Sequence, residues 1–206
     1  MRADTRPFFV QGAAGQLECL LDAPDAPPTG IALLAHPHPL YGGNMHNKVV
    51  QMMARAFSSL GYVAARMNFR GVGASGGEHD HGVGETDDMM QLLAHVQTQY
   101  PDLPVTLAGY SYGTYVQSRL QAHLETENTP PKRTILFAVP AGQWSVETVP
   151  ANTVLIHGEA DELAPLSAVL TWAKDTPVIV IPACDHFFNR KLHHVENLIH
   201  CLCKEG

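Results

Sequence analysis

Apolar runs of strand length alternate with amphipathic segments of helix length along most of the chain. This alternation predicts an α/β fold in which helices flank a mostly parallel central sheet. The predicted strands are "IALLAH", "VAARMNF", "VTLAGY", "TILFAVP", "TVLIHG" and "VIVIPA". The predicted helices are Asn47–Leu60, Glu85–Gln99, Tyr112–Leu124, Pro165–Lys174 and Arg190–Leu202.

The segment before this alternation has a different pattern. "FFVQG" and "QLECLLDA" predict an antiparallel hairpin that turns between Gly12 and Gly15. No repeat or low-complexity tract interrupts the elements that follow. In an open parallel sheet, ligands bind beyond the carboxyl ends of the strands, and each candidate residue below follows a predicted strand or lies in a loop beyond one.

Length and composition limit the classes of protein to consider. With 206 residues, 45% of them hydrophobic, we expect one domain over residues 1–206. The net charge is −7 and no basic run is longer than Lys132-Arg133, which argues against nucleic acid and anionic membrane as partners. "MRADTRPFFVQG" lacks the apolar core of a secretory signal, so we expect a cytoplasmic protein. The scattered cysteines, expected to be reduced thiols, are Cys19, Cys184, Cys201 and Cys203.

The pattern G-x-S-x-G occurs twice, around Ser111 and around Ser75. A nucleophilic serine in this pattern needs a strand before it and a helix after it, with glycines where a side chain would clash. "VTLAGYSYGTYVQSRL" supplies both elements around Ser111. Ser75 lies in a glycine-rich stretch followed by polar "EHDH", and we interpret it as a loop serine.

The same glycine stretch also matches the dinucleotide pattern G-x-G-x-x-G at residues 71–76. A dinucleotide site needs a helix to begin there, so that its first N–H groups face the pyrophosphate. The loop continues to Gly84 instead, so we expect no nucleotide and no other cofactor.

A serine nucleophile needs a base, and the base needs an orienting group. Asp161 and His186 each follow a predicted strand, and the chain order Ser111, Asp161, His186 fits three side chains that meet above one sheet. His157 is the rival base but precedes the acid, which favours a packed or loop histidine. The rival acids are Glu159, Glu162 and Asp185.

The stretch "HPHPLYGG" could bind a metal ion or stabilise an oxyanion. An oxyanion hole needs two N–H donors, one from Tyr112 after the nucleophile and one from an early strand loop. The prolines have no N–H, which leaves His38 or Leu40, and we expect His38. A zinc site would need more ligands, for which "EHDH" is the one candidate, and a solvated loop is the simpler interpretation there. We therefore expect no metal.

Five motifs follow one another along the chain, namely "HPHPLYGGNMHNKVV", "RMNFRGVGASGGEHDHGVGE", "GYSYG", "HGEADELAP" and "DHFF". Together they resemble the small bacterial α/β-hydrolase superfamily proteins close to carboxylesterases and dienelactone hydrolases. The resemblance covers about residues 31–188, with serine where dienelactone hydrolases have cysteine. It implies the eight-stranded α/β-hydrolase fold and a catalytic triad at Ser111, Asp161 and His186.

The resulting expectation is a serine hydrolase of the carboxylesterase type that acts on a small acyl ester. Residues 141–152, between two predicted strands, are too few for a cap domain, so we expect an open site and short acyl chains. The alternatives are a thioesterase, a small-amide hydrolase, or a catalytically silent binding protein with this fold. The sequence leaves open whether the protein forms a homodimer.

Overall fold

The computed structural model describes residues 4–144 and 152–203, which form one eight-stranded sheet with helices on both faces. The strands are β1 (Asp4–Gly12), β2 (Gly15–Ala23), β3 (Gly30–Ala35), β4 (Tyr62–Met67), β5 (Val105–Tyr110), β6 (Arg133–Phe137), β7 (Thr153–Gly158) and β8 (Val178–Ile181). The helices are α1 (Lys48–Ser59), α2 (Val83–Gln99), α3 (Tyr112–Thr126), α4 (Leu166–Ala173) and α5 (Leu192–Cys203). The sheet order is β1-β2-β4-β3-β5-β6-β7-β8.

Strands β3 to β8 are parallel, whereas β1 and β2 form the predicted hairpin, and β2 pairs antiparallel with β4. The six parallel strands therefore end at the same edge of the sheet. The loops that follow them converge there, and this edge carries the candidate site.

Two element boundaries differ from the predicted ones for physical reasons. Helix α2 begins at Val83, two residues before the predicted Glu85, because the Glu85 carboxylate accepts the Gly82 N–H and closes the first turn. Strand β6 ends at Phe137 because Ala138 has a φ of 52°, which turns the backbone out of the sheet. The predicted absence of a cap in residues 141–152 falls largely on residues 145–151, outside the described residues.

The hydrophobic core has separate layers on the two faces of the sheet. Helices α1 and α5 cover one face and α2 and α3 cover the other, while α4 packs on Leu136 and Leu155 near one end. Residues of β5 alternate between the layers, so that Leu107 packs under α2 and α3 and Tyr110 packs on the α1 side. Within residues 4–144 and 152–203, none of the helices has the length and apolarity needed to cross a membrane.

Candidate active site

Ser111 lies in the sharp turn between β5 and α3. Its backbone has φ 54° and ψ −122°, a conformation that L-residues rarely adopt. Neighbouring backbone holds it there, since the Ser111 N–H donates to the Phe137 carbonyl at 2.9 Å and the Thr114 N–H donates to the Ser111 carbonyl at 2.8 Å. The serine is therefore fixed where the sheet meets the converging loops.

The two glycines around this serine allow close backbone contacts. A Cβ on Gly109 would lie 2.5 Å from the Gly113 carbonyl oxygen, and a Cβ on Gly113 would overlap the Ala35 carbonyl oxygen. Helix α3 can therefore start directly against the end of β3 only because both positions lack a side chain.

The structure brings Ser111, Asp161 and His186 together. Ser111 Oγ lies 2.9 Å from His186 Nε2, and His186 Nδ1 lies 2.7 Å from Asp161 Oδ2. A carboxylate only accepts, so the neutral imidazole has its proton on Nδ1 and presents Nε2 to the serine hydroxyl as an acceptor. This arrangement can remove a proton from the serine during attack on a carbonyl carbon.

The Asp161 carboxylate is buried and held by its own turn. Its Oδ1 accepts the N–H groups of Leu163 at 3.0 Å and Ala164 at 2.8 Å, which leaves Oδ2 for His186. These hydrogen bonds compensate the carboxylate for the loss of water.

The loop that carries His186 is fixed at three points. The Tyr110 hydroxyl donates to the His186 carbonyl at 3.0 Å, and Glu159 accepts the Ala183 N–H at 2.9 Å. Asp185 accepts the Asn189 N–H at 2.9 Å on the far side of the loop. Two of the rival acids, Glu159 and Asp185, therefore hold this loop.

The third rival acid and the rival base have other surroundings. The Glu162 side chain is exposed. His157 is fully buried, and its Nε2–H donates to the Ala164 carbonyl at 2.7 Å, while Asp161 Oδ2 lies 3.5 Å away. Burial lowers the His157 pKa. The interpretation of His157 as a packed histidine is confirmed. The sequence did not predict its contact with Asp161.

Ser75 has a different role from Ser111. Its hydroxyl donates to the Asn68 carbonyl at 2.7 Å and accepts the Glu18 N–H at 2.9 Å. It is buried, and it ties the glycine loop to β2. Helix α2 begins only at Val83, so no helix opens at the end of the G-x-G-x-x-G match.

The two histidines of the "HPHP" loop have separate functions. His36 is fully buried, its Nε2 accepts the Phe69 N–H at 2.9 Å, and its Nδ1–H donates to the Pro37 carbonyl at 2.6 Å. Burial lowers its pKa to about 3, so the ring is neutral. The His38 ring accepts the Leu40 N–H at 3.2 Å through Nδ1. The Leu40 N–H, which was the alternative donor for an oxyanion, is therefore already engaged.

This loop lies against the start of α3. The rings of His38 and Tyr112 have centroids 4.5 Å apart. Tyr112 is the first residue of α3, so its N–H is among those with no acceptor inside the helix. The N–H groups predicted for an oxyanion thus belong to residues whose side chains are in contact.

The prediction of a solvated "EHDH" loop is wrong for His79. Its side chain is 9% exposed, and its ring lies 5.0 Å from the His38 ring and 5.5 Å from the Tyr112 ring. The cause is Glu85, which accepts the Asp80 and Gly82 N–H groups and contacts His79 Nδ1 at 2.8 Å, so the loop is held inward. Among the described residues, no group of three His, Cys, Asp or Glu side chains is arranged to hold a metal ion.

Sequence reasoning missed three residues near the site. Tyr110 occupies a variable position of G-x-S-x-G, and the polar "EHDH" pattern predicts a solvated His79. Trp144, one of two tryptophans, lies with its ring 5.3 Å from those of His38 and Tyr112. In the sequence, only the rarity of tryptophan draws attention to Trp144.

A separate cavity of about 510 Å³ lies beside β2 and α1, and none of the site residues lines it. Asp22 and Arg66, which do line it, form a buried ion pair with each other. This cavity is therefore unrelated to the serine site.

Comparison with known proteins agrees with this fold. A crystal structure from Xanthomonas campestris, described as an α/β serine hydrolase without lid, superposes with a TM-score of 0.89 at 36% identity, covering 98% of this chain and 94% of that chain. An α/β serine hydrolase homologue from Coxiella burnetii superposes with a TM-score of 0.85 at 32% identity, covering 94% and 95% of the two chains.

Two curated proteins match part of the chain. An uncharacterised protein of Rickettsia prowazekii is 40% identical over 114 residues, which are 55% of this chain and 48% of that protein. The monoacylglycerol lipase of Mycolicibacterium smegmatis is 30% identical over 118 residues, which are 55% of this chain and 40% of that protein. The chain thus matches less than half the length of these curated relatives.

The fold and its relatives define an α/β serine hydrolase. More narrowly, the chain belongs to the family described as serine aminopeptidase, S33, whose family model matches residues 27–174.

Proposed function

We propose that this serine hydrolase cleaves short-chain carboxylic esters through Ser111, His186 and Asp161. One observation carries the proposal: Ser111 Oγ, the His186 imidazole and the Asp161 carboxylate are linked by contacts of 2.9 and 2.7 Å at the carboxyl edge of the sheet. The partner is a small acyl ester, and the chain's own groups and water suffice for the reaction.

The reaction proceeds in two halves. Ser111 Oγ attacks the carbonyl carbon as its proton passes to His186 Nε2, and the carbonyl oxygen becomes an oxyanion that accepts the His38 and Tyr112 N–H groups. The tetrahedral intermediate expels the alcohol, which takes the proton from His186, and leaves an acyl-serine. Water then attacks the acyl-serine by the same route and releases the carboxylic acid.

Asp161 supports both halves. Its carboxylate holds the His186 Nδ1–H, so that Nε2 stays directed at the serine, and it stabilises the imidazolium formed in each step. The N–H groups of Leu163 and Ala164 hold the carboxylate in the orientation this role needs.

An ester is the first choice of substrate, and the relative whose name denotes a monoacylglycerol lipase supports it. The family description, which denotes an aminopeptidase, favours small amides as the second candidate. The same acyl-serine chemistry serves both, and thioesters as well. A panel of p-nitrophenyl esters, acyl thioesters and aminoacyl p-nitroanilides, compared by kcat/KM, ranks these classes.

Covalent labelling tests the nucleophile. A fluorophosphonate should form one adduct on Ser111, located by peptide mass spectrometry, and Ser111→Ala should abolish both labelling and turnover. Ser75→Ala is the matched control, because it removes the hydroxyl of the other G-x-S-x-G serine, and labelling should survive. Equal loss in both variants, or an adduct elsewhere, would contradict the assignment, and absence of any adduct would favour a catalytically silent protein.

A further inference from the structure

The residues before and after Ser111 lie in different surroundings. Tyr110, just before it, packs with Phe188 in the core layer on the α1 and α5 side, and its ring lies 5.6 Å from the His186 ring. Tyr112, just after it, packs in the core layer under α2 and α3. The base therefore approaches the serine from one side only.

The opposite side carries a cluster of rings that we name the aromatic wall. Its centre is the His38 ring, which lies within 4.5 to 5.3 Å of four other rings, centroid to centroid. These four rings come from the loops after β3, β4 and β6 and from the start of α3. The members of the aromatic wall are His38, Tyr41, His79, Tyr112 and Trp144.

The aromatic wall is partly open to solvent. Tyr41 is 85% exposed although its ring lies 4.8 Å from the His38 ring. His38 and Trp144 are half-buried, whereas Tyr112 is buried. Burial and the neighbouring His79 lower the pKa of His38, which keeps its ring neutral at pH 7. The wall thus presents flat ring surface beside the serine, with the neutral His38 ring at its centre.

The proposed chemistry fixes which part of a substrate meets this surface. The leaving group must lie on the His186 side, because it receives the proton of His186. The carbonyl oxygen lies at the N–H groups of His38 and Tyr112. The remaining substituent of the carbonyl carbon is the acyl group, which then lies along the side chains of these same two residues.

We propose that the aromatic wall is the acyl subsite and that it selects acyl groups with a flat aromatic ring. This inference rests on the proposed function and names its substrate class. Flat rings stack on aromatic side chains in offset or edge-to-face contact, whereas a saturated ring of the same carbon skeleton cannot do so. The reported advantage of an aromatic pair corresponds to about a twofold to tenfold preference.

A pair of esters that differ only in this respect tests the subsite. The probes are p-nitrophenyl phenylacetate and p-nitrophenyl cyclohexylacetate, with each kcat/KM divided by the rate constant for hydroxide hydrolysis of the same ester. The aromatic to saturated ratio should exceed about twofold in the wild type. It should fall toward one in Trp144→Leu and in Tyr41→Leu, and the exposed position of Tyr41 makes the second variant safe for folding. Trp172→Leu, at the other tryptophan, lies on α4 outside the aromatic wall and should keep the wild-type ratio.

The possible outcomes distinguish a failure of the proposed aromatic subsite from a failure of the proposed ester hydrolase function. Turnover of both esters with a normalised ratio near one, or a ratio unchanged in both wall variants, overturns the aromatic subsite and leaves the ester hydrolase standing. A ratio lost equally in Trp172→Leu also overturns it, because the preference would then not come from the wall. If no ester is turned over and Ser111 takes no fluorophosphonate, the proposed function fails first.

Discussion

At the scale of single residues, the hydroxyl of Tyr110 connects the residue before Ser111 to the loop that carries His186. It donates to the His186 carbonyl at 3.0 Å from a buried position. Tyr110→Phe removes only this oxygen, and a buried group left without its partner costs about 1–3 kcal/mol. We expect Tyr110 to act by positioning His186, so kcat should fall about tenfold with little change in KM, since the imidazole moves relative to Ser111.

The measurement is kcat and KM across pH, together with the rate of fluorophosphonate labelling. A misplaced imidazole should also shift the acidic limb of the kcat profile, which a purely structural loss would leave in place. Tyr115→Phe on α3 makes the same chemical change away from the His186 loop and is the control. An unchanged kcat and profile in Tyr110→Phe would show that the remaining loop contacts suffice.

The residues themselves divide into those that sequence could and could not predict. That Ser111, Asp161 and His186 lie together was predictable, because each follows a strand in an order that one sheet edge can assemble. Tyr110 and Trp144 were not, because their contacts join segments far apart in the chain and no local pattern signals such contacts.

At the scale of elements, His36 connects the ends of β3 and β4. It follows β3, and its ring accepts the N–H of Phe69, two residues beyond β4. The folded protein keeps this ring neutral down to a pKa of about 3, whereas an unfolded histidine takes up its proton near pH 6.5. Between these values the unfolded chain binds more protons, so stability must fall as the pH decreases.

The test compares the free energy of unfolding of the wild type and His36→Gln from pH 7 to pH 4. Glutamine retains an acceptor and a donor but does not titrate. The wild type should lose stability more steeply with falling pH, by up to about 1.4 kcal/mol per pH unit for one proton. His46→Gln, at an exposed histidine, is the control. Parallel curves for wild type and His36→Gln would show that His36 does not govern this acid sensitivity.

Element positions followed largely from the sequence pattern. Helix α1, for example, begins after Asn47, whose side chain accepts the Val49 N–H as a helix cap should. The end of β6 was not predictable, because "TILFAVP" stays apolar past Phe137 while the left-handed φ of Ala138 turns the chain. A run of apolar residues indicates burial, but it does not indicate where the backbone turns.

At the scale of the whole molecule, apolar side chains close to the candidate site are exposed among the described residues. Large apolar side chains that closely follow the site residues in sequence are exposed, namely Leu40, Tyr41, Leu163 and Phe187. A linear acyl chain should therefore gain about 0.8 kcal/mol per methylene only for the first carbons, until it extends past the site into solvent.

We expect kcat/KM for linear p-nitrophenyl esters to be highest at acyl chains of roughly two to six carbons, with no activation at a lipid interface, because the gain per methylene ends where contact ends. A homologous series from acetate to laurate, below and above the solubility limit of the long esters, measures both effects. A steady increase toward long chains would mean that another segment or a partner subunit covers the site.

The order of strands in the sheet was beyond pattern reasoning. Periodicity predicts strands and helices, but the placement of β4 beside β2 and of β3 beside β5 depends on which faces pack best in three dimensions. The resemblance to α/β hydrolases implied this fold, and the molecule confirms it.

The backbone of Ser111 holds the proposed nucleophile in a strained conformation, which sets its proposed role against stability. At φ 54° and ψ −122° any residue with a Cβ is strained by about 1–3 kcal/mol, and glycine is not. Ser111→Gly should therefore unfold about 2–4 °C above Ser111→Ala for each kcal/mol relieved, as differential scanning calorimetry can measure. Directed evolution for heat resistance alone would then drift toward an inactive enzyme. A thermostability library of this protein has to be screened for turnover in every round.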